Sequence, residues 1–177
     1  MPLIMNGRVV EDSWTRIDDE AALPTEGAVI VSYDRWEKDK ASLLAADLDL
    51  GVWLNSDQSP ELLDGDIDSL KLVALNFPSF ADGRAFTYGR MLRERYEFEG
   101  QVRAMGGFIL DQIEMLRRCG FDAFETEKPE VVRGVNRNAS ANVTVYYQPG
   151  QDEQDETASS LRRRLLDSHK ELGYRNA

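Results

Sequence analysis

The sequence predicts a single α/β domain with a mostly parallel sheet and a short N-terminal hairpin. Segments of strand and helix length alternate along most of the chain. The runs Ala28–Ser32 and Leu72–Phe77 are almost wholly apolar, which is typical of strands covered on both faces. Asn6-Gly7 lies between two short apolar runs, as in a tight hairpin. This alternation favours parallel strands joined by right-handed crossovers, and both an open doubly wound sheet and a partial β/α barrel fit it.

Short runs of β-branched and apolar residues predict the strands. The run ending at Phe77 stops at Pro78, because proline has no N–H to donate to a ladder. The segment between the hairpin and Gly27 is polar and predicts no strand. In chain order, the predicted strands after the hairpin of Leu3–Val10 are Ala28–Ser32, Val52–Leu54, Leu72–Phe77, Val102–Met105, Asp122–Glu125 and Val143–Tyr147.

Apolar residues at helical spacing predict the helices. Leu43, Leu44 and Leu48 share one side of the first helix. Gly120 is well placed to end a later one. The predicted helices are Trp36–Leu48, a helix from Asp82 or Gly83 to about Tyr96, Phe108–Cys119, Pro129–Asn138 and Thr157–Leu172, with a helical turn at Pro60–Leu63. The domain is predicted at 1–149, followed at 150–177 by an acidic linker and a polar helix.

Composition excludes several classes of function. The 177 residues include 21 Lys and Arg against 32 Asp and Glu, a net charge of −11 that disfavours binding to nucleic acid. Cys119 is the single cysteine and His169 the single histidine, too few for an internal disulfide or a Cys/His zinc site, so no metal is predicted. No signal peptide and no membrane-spanning run are recognisable, which predicts a cytoplasmic protein without a membrane partner.

The candidate catalytic residues are Asp82 and Arg84, which follow the strand ending at Phe77. Parallel strands gather their carboxyl ends at one edge, where ligands bind. Asp82 is predicted to cap the next helix and to act as an acid or base, and Arg84 to bind an anionic substrate beside the helix N-terminus. The predicted substrate-binding residues are Asn76, Ser79, Tyr88, Arg90, Asp111 and Gln112.

Plainer structural roles also fit these motifs. A capped surface helix with solvated arginines explains Asp82 and Arg84 equally well, and the segment around Asp111 fits an ordinary amphipathic crossover helix. A helix C-terminus raises the pKa of a thiol, so Cys119 is predicted to be a small buried residue. Gly89 in mid-helix predicts a close backbone approach. Gly106 and its neighbouring glycine lack the spacing of a dinucleotide- or phosphate-binding loop, so no cofactor is evident.

Three stretches resemble a bacterial family, domain-of-unknown-function family 934. They are FPSFADGRAFTYGRMLR at Phe77–Arg93, Arg103-Ala104-Met105-Gly106, and Asp111 through Phe124. The similarity runs to Val143–Pro149. The resemblance implies a pathway rather than a mechanism, because members are commonly encoded beside assimilatory sulfite or nitrite reductase genes. Some are labelled oxidoreductases, and only that label implies NADPH or flavin; the family supplies no catalytic residues.

Three hypotheses follow from the residues and the resemblance. The first is an accessory protein of assimilatory sulfite reduction that docks on or assists the reductase. The alternative is a small oxidoreductase or other enzyme that binds an anionic substrate at the strand carboxyl ends. The third is a structural domain, forming a homodimer through its helix faces. The sequence contains no cysteine pair and no dinucleotide fingerprint, which favours the first.

Overall fold

Eight strands form one curled, mostly parallel half-barrel sheet in residues 1–136, which are the residues that the computed structural model describes. Four α-helices accompany it. The strands are β1 Leu3–Met5, β2 Arg8–Val10, β3 Trp14–Arg16, β4 Ala28–Ser32, β5 Asp49–Leu54, β6 Leu72–Phe77, β7 Gln101–Gly106 and β8 Ala123–Glu125. The helices are α1 Tyr33–Ala45, α2 Arg84–Glu94, α3 Ile113–Arg118 and α4 Pro129–Asn136, with 3-10 helices at Pro60–Leu63, Ile67–Ser69 and Leu110–Gln112.

The strand order decides between the two predicted architectures. The order across the sheet is β2-β1-β8-β7-β6-β5-β4-β3, so β3 to β8 lie side by side in chain order and pair in parallel. A doubly wound sheet requires the strand order to reverse part-way, so that alternative is wrong. The partial barrel is confirmed in the form of a half-barrel.

The predicted N-terminal hairpin is confirmed. β1 pairs antiparallel with β2, and the turn between them has positive φ at both Asn6 (50°) and Gly7 (70°). Asparagine and glycine tolerate this conformation better than other residues, and it matches the twist of the flanking strands. β1 also pairs antiparallel with β8, which joins the hairpin to the end of the parallel sheet.

Two strands differ from the sequence prediction by more than one residue at an end. Trp14–Arg16 forms the edge strand β3 within the segment read as polar, where it pairs with β4 from Trp14 opposite Ala28. β3 has only three residues and two of them are exposed, so it leaves no apolar run in the sequence. β5 starts at Asp49, three residues earlier than predicted, because its ladder with β4 begins at Ala28.

The helices differ mainly at their ends. α1 begins at Tyr33 because the Ser32 hydroxyl accepts the Arg35 N–H at 3.0 Å, a side-chain cap that the apolar spacing does not reveal. The predicted helix Phe108–Cys119 is divided into a 3-10 turn and the shorter α3. Gly120 ends α3 with φ +93°, as predicted. The predictions for Val143–Tyr147, the acidic linker, the C-terminal helix and His169 lie outside the described residues.

All four helices contribute to one apolar core on the same side of the sheet. Leu43, Leu92, Leu116 and Val131 each represent one helix in this core, and each is fully buried. Every second residue along the strands, such as Val73, completes this core. This one-sided arrangement follows from the chain-order strands, because each right-handed crossover returns on the same face.

The opposite, concave face of the sheet has its own smaller core. Ile30, Leu72 and Met105 are buried there, with Trp14 and Trp53 packed against them. Arg103 on β7 also lies on this face and is fully buried. Since an unpaired buried charge is strongly destabilising, its partners are central to the fold.

Two carboxylates and one amide surround the Arg103 guanidinium. Asp12 accepts hydrogen bonds from both terminal nitrogens at 2.6 and 2.9 Å, and Glu125 accepts one at 3.1 Å. The Gln101 side-chain carbonyl accepts two more, at 3.0 and 3.2 Å. Burial by itself would raise the pKa of Asp12, but the Arg103 and Trp14 hydrogen bonds outweigh it and lower the pKa. This cluster fastens the segment before β3 to β7 and β8.

We expect Asp12→Asn to lower the free energy of unfolding by about 2 kcal/mol, less than a fully buried pair would lose, because Asp12 reaches solvent and Glu125 remains. The lowered pKa means that ionised Asp12 stabilises the fold above its ordinary pKa of 3.8 and that this contribution is lost as the pH falls through the folded-state pKa. Urea denaturation of both proteins from neutral to strongly acidic pH measures this. A stability difference that persists undiminished in acid would contradict the ion-pair explanation.

Candidate functional site

The loops that follow the parallel strands meet at one edge of the sheet, here called the carboxyl edge. Asn55 follows β5, and Asn76 lies near the end of β6. The Asn76 side-chain N–H group donates to the Asn55 side-chain carbonyl at 3.3 Å. Beside this amide pair, the Gln58 side chain donates to Asp34 at 3.1 Å. The edge is therefore polar and hydrogen-bonded along β4, β5 and β6.

Gly106 and Gly107 bring the ends of β6 and β7 into close contact. Gly106 has φ +96°, and a Cβ atom there would lie 2.7 Å from the Phe77 carbonyl oxygen. The Gly107 N–H donates to that same oxygen at 2.6 Å. A Cβ on Gly107 would lie 2.9 Å from Cα of Ser79. The glycine pair thus has a packing role that sets the position of the Ser79 loop.

Asp82 and Arg84 lie at the carboxyl edge, as the sequence predicts, and they bond to each other. The Arg84 guanidinium donates to the two Asp82 carboxylate oxygens at 3.0 and 2.7 Å. It also donates to the Ser56 hydroxyl, after β5, at 2.9 Å. The Arg84 backbone N–H donates to Asp82 at 3.2 Å, so Asp82 bonds the first N–H of α2, although Gly83 occupies the cap position.

The Arg84 guanidinium holds the pKa of Asp82 well below its usual range. Burial of the carboxylate opposes this lowering, but hydrogen bonds from the Arg84 backbone N–H and the Ser56 hydroxyl lower the pKa further. A general acid that works near neutral pH needs a raised pKa. Asp82 instead stays ionised and balances the charge of Arg84. Its catalytic role remains a prediction, and the local chemistry is that of an ion pair.

Phe80 is the residue that the sequence analysis did not single out. Its side chain is 61% exposed in the loop between β6 and α2. The loop is held by the Asp82 N–H, which donates to the Ser79 carbonyl at 3.2 Å, and by the Gln112 side chain, which donates to the Phe80 carbonyl at 3.0 Å. An aromatic residue among polar loop residues was the available signal. Ser79 itself is exposed.

A groove of about 890 Å³ lies between α2 and α3, here called the α2–α3 groove. It brings together three of the predicted substrate-binding residues, Arg90, Asp111 and Gln112. The groove is lined by Phe86, Thr87, Arg90, Met91, Glu94, Asp111, Gln112, Met115 and Cys119. Arg90 donates to Glu94 at 2.8 Å, an exposed pair on one helix. Apart from Tyr88, the predicted site residues therefore divide between this groove and the carboxyl edge.

Tyr88 belongs to neither surface. It is partly buried and packs against the main core. It lies one helical turn from Arg84 and interacts with it electrostatically, as the i,i+4 spacing predicts. Its substrate-binding role stays a prediction.

Cys119 forms part of the groove floor and is 7% exposed, as predicted for a small buried residue. Burial raises the pKa of its thiol, while Arg90 and Arg118 partly offset this rise. The thiol therefore lacks the activation that a nucleophile needs.

Within residues 1–136, no group of three or more His, Cys, Asp or Glu side chains is placed to hold a metal ion. None of the helices in this range combines the length and the apolar character needed to cross a bilayer.

Gly89 allows α2 to approach the turn after α3, as its mid-helix position predicts. A Cβ atom there would lie 2.4 Å from the buried ring of Phe121 and 3.0 Å from the Cys119 carbonyl oxygen. We expect Gly89→Ala to reduce stability by about 1–3 kcal/mol, because the overlap outweighs the better helix propensity of alanine. Thermal denaturation measures the loss. The matched control is Thr87→Ala, at an exposed position of the same helix, which should change stability little; an equal loss there would contradict this explanation.

Comparison with known proteins identifies the family of this chain but assigns it no activity. No curated protein matches the chain. The family model described as bacterial protein of unknown function (DUF934) matches residues 51–158, which include most of β5, all of β6 to β8 and both helices of the groove. The match runs past residue 150, where the sequence analysis placed the start of the acidic linker. Because the matched range covers more than half of the chain, the protein belongs to this bacterial family of unknown function.

Proposed function

We propose that this chain is a cytoplasmic accessory protein of assimilatory sulfite reduction, which docks on the reductase through its carboxyl edge. The observation that carries the docking role is the exposed ring of Phe80 on a loop held from both sides. The pathway is what the resemblance to the family implies, because its members are commonly encoded beside assimilatory sulfite or nitrite reductase genes.

An exposed aromatic ring on an ordered loop is suited to protein recognition. Aromatic residues dominate interface hot spots, and a loop whose backbone is already ordered loses less entropy when it binds. The Gln112 and Asp82 hydrogen bonds supply that order at the Phe80 loop. Phe80 is also more exposed than the other large apolar side chains of residues 1–136.

The charge of the edge favours a basic partner. Asp34 and Asp57 are exposed there, and Arg84 is balanced by Asp82. The whole chain carries a net charge of −11. Acidic groups around an aromatic anchor speed encounter with a positively charged surface and make binding sensitive to salt.

We expect Phe80→Ala to weaken binding to purified sulfite reductase by about ten- to thirtyfold, the loss typical of an interface hot spot. Stability should change little, because the ring is exposed. Surface plasmon resonance at two salt concentrations measures the affinity. Leu44→Ala is the matched control, since Leu44 is 46% exposed on α1.

Two outcomes would contradict the proposal. One is no measurable binding of the wild-type chain to intact reductase at low salt. The other is an equal loss for Phe80→Ala and Leu44→Ala, which would place the contact outside the carboxyl edge.

A second candidate function is an enzyme that binds an anion at Arg84. The Arg84 side chain is 53% exposed, and its Nη1 atom has no hydrogen bond within the described residues. The Asp82 carboxylate, however, repels an incoming anion. The ion pair thus makes docking the better-supported function.

We expect isothermal titration of the wild-type chain with sulfite to show no saturable binding. Asp82→Asn removes the opposing charge and should produce weak binding that Arg84→Ala, in the same background, abolishes. Saturable binding by the wild type that is lost in Arg84→Ala would instead favour the enzyme.

A further inference from the structure

We propose that residues 143–147 form a ninth strand that pairs with β2 and covers this edge of the sheet. These residues lie outside the described part of the chain, and their sequence predicts a strand. The inference goes beyond the docking role of the carboxyl edge, because it assigns an occupant to a second surface. It rests on the open edge at β2, on the position of α4 and on the handedness of the crossovers.

β2 is an apolar edge strand. It lies at one end of the sheet, and within residues 1–136 its only strand partner is β1. Val9 is 41% exposed and Val10 is 38% exposed. Val9 pairs with Ile4, a residue of the main core, so Val9 lies on the helical side of the sheet and Val10 on the opposite side. An edge with exposed apolar side chains on both faces readily accepts another strand.

The register of the hairpin identifies the backbone groups that a new strand would bind. Met5 and Arg8 flank the two-residue turn and pair with each other. In such a hairpin the flanking pair exchanges both of its hydrogen bonds, and the backbone groups of successive residues point in alternate directions. The N–H and C=O groups of Val9 therefore point away from β1 and are available to a strand beyond β2.

The handedness of the crossovers selects β2 rather than β3 as the edge that the chain reaches after α4. The strands from β3 to β8 follow one another in one direction across the sheet. Val131 and Val135 bury α4 in the same core as the earlier helices, so α4 lies on the same face. A right-handed crossover through α4 therefore continues in that direction. Because β1 already occupies the place beside β8, the next edge in this direction is β2.

α4 is placed to deliver the chain to this edge. Among the described strands, α4 contacts β2 most extensively. It also packs tightly against the 3-10 helix Leu110–Gln112, since a Cβ atom on Gly134 would lie 2.3 Å from the Leu110 side chain. Residues 137–142 connect α4 to the proposed strand, and connections of about two to six residues are usual between a helix and the next strand.

The composition of residues 143–147 fits a strand in this place. The segment reads Val-Thr-Val-Tyr-Tyr, so every residue is β-branched or aromatic, the types enriched in strands. Pro149 follows it closely and favours the end of a strand. β2 runs antiparallel to β1, which runs antiparallel to β8. A strand reached from β8 by a crossover is parallel to β8, and therefore pairs in parallel with β2.

Amide hydrogen exchange at Val9, measured by NMR on the full chain, tests the proposal. We expect the Val9 N–H to exchange at least about a hundredfold more slowly than an unprotected amide, because it donates to the ninth strand. The double variant Thr144→Pro/Val145→Pro should abolish most of this protection, since one of two successive residues must direct its N–H to β2. The double variant Gln151→Pro/Asp152→Pro is the matched control and should leave Val9 protected. The amides of β6 should stay protected in both variants, which shows that each is folded.

Two results would overturn the proposal. One is a Val9 amide that exchanges as fast as an unprotected amide in the wild-type chain, which would leave the edge uncovered. The other is protection that survives the prolines at positions 144 and 145; if that protection rises with protein concentration, a second copy of the chain covers β2 instead. The measurement needs no reductase, so its outcome is independent of the docking role of the carboxyl edge.

Discussion

The parallel pairing of β3 to β8 in chain order is the constraint on which the rest of the structure depends. Each right-handed crossover has to return on the same face, so α1, α2 and α3 share one core, which α4 joins after β8. The same rule brings the loops after the strands to one edge. The amide pair of Asn55 and Asn76 and the ion pair of Asp82 and Arg84 both result from this placement.

A sheet with helices on one face needs another way to close its concave face. In the described part of this chain, side chains do so. Trp14 and Trp53 pack over a small apolar cluster, and Arg103 fastens Asp12 to the sheet beside them. Asp12 lies two residues before the start of β3, so this ion pair connects the edge strand to β7 across the concave face. A buried arginine can do this because it satisfies several acceptors in fixed directions.

The sequence predicted the parts of the fold that local chemistry determines. β6 has its predicted bounds of Leu72–Phe77, because the apolar run ends at Pro78, which has no N–H to extend the strand ladder. β3 was missed, since three residues with two exposed side chains are ordered by pairing with β4 rather than by their own pattern. The choice of half-barrel over doubly wound sheet depended on strand order, which no local pattern contains.

In the candidate site, too, local sequence predicted some features and tertiary contacts determined the others. Sequence position placed Asp82 and Arg84 at the carboxyl edge, but it did not show that they neutralise each other, because this depends on rotamers and on Ser56 from another loop. Exposure of Phe80 is likewise a tertiary property.

Gln112 shows how the two surfaces of the helical layer are joined. Its side-chain carbonyl accepts the Ile109 N–H at 3.1 Å, and its N–H group donates to the Phe80 carbonyl at 3.0 Å. One side chain thus lines the α2–α3 groove and also fixes the loop that presents the Phe80 ring. Movement of Gln112 would loosen both surfaces together. A contact that holds the groove in place therefore also helps to keep the loop of Phe80 ordered, and this is the physical route by which one surface can influence the other.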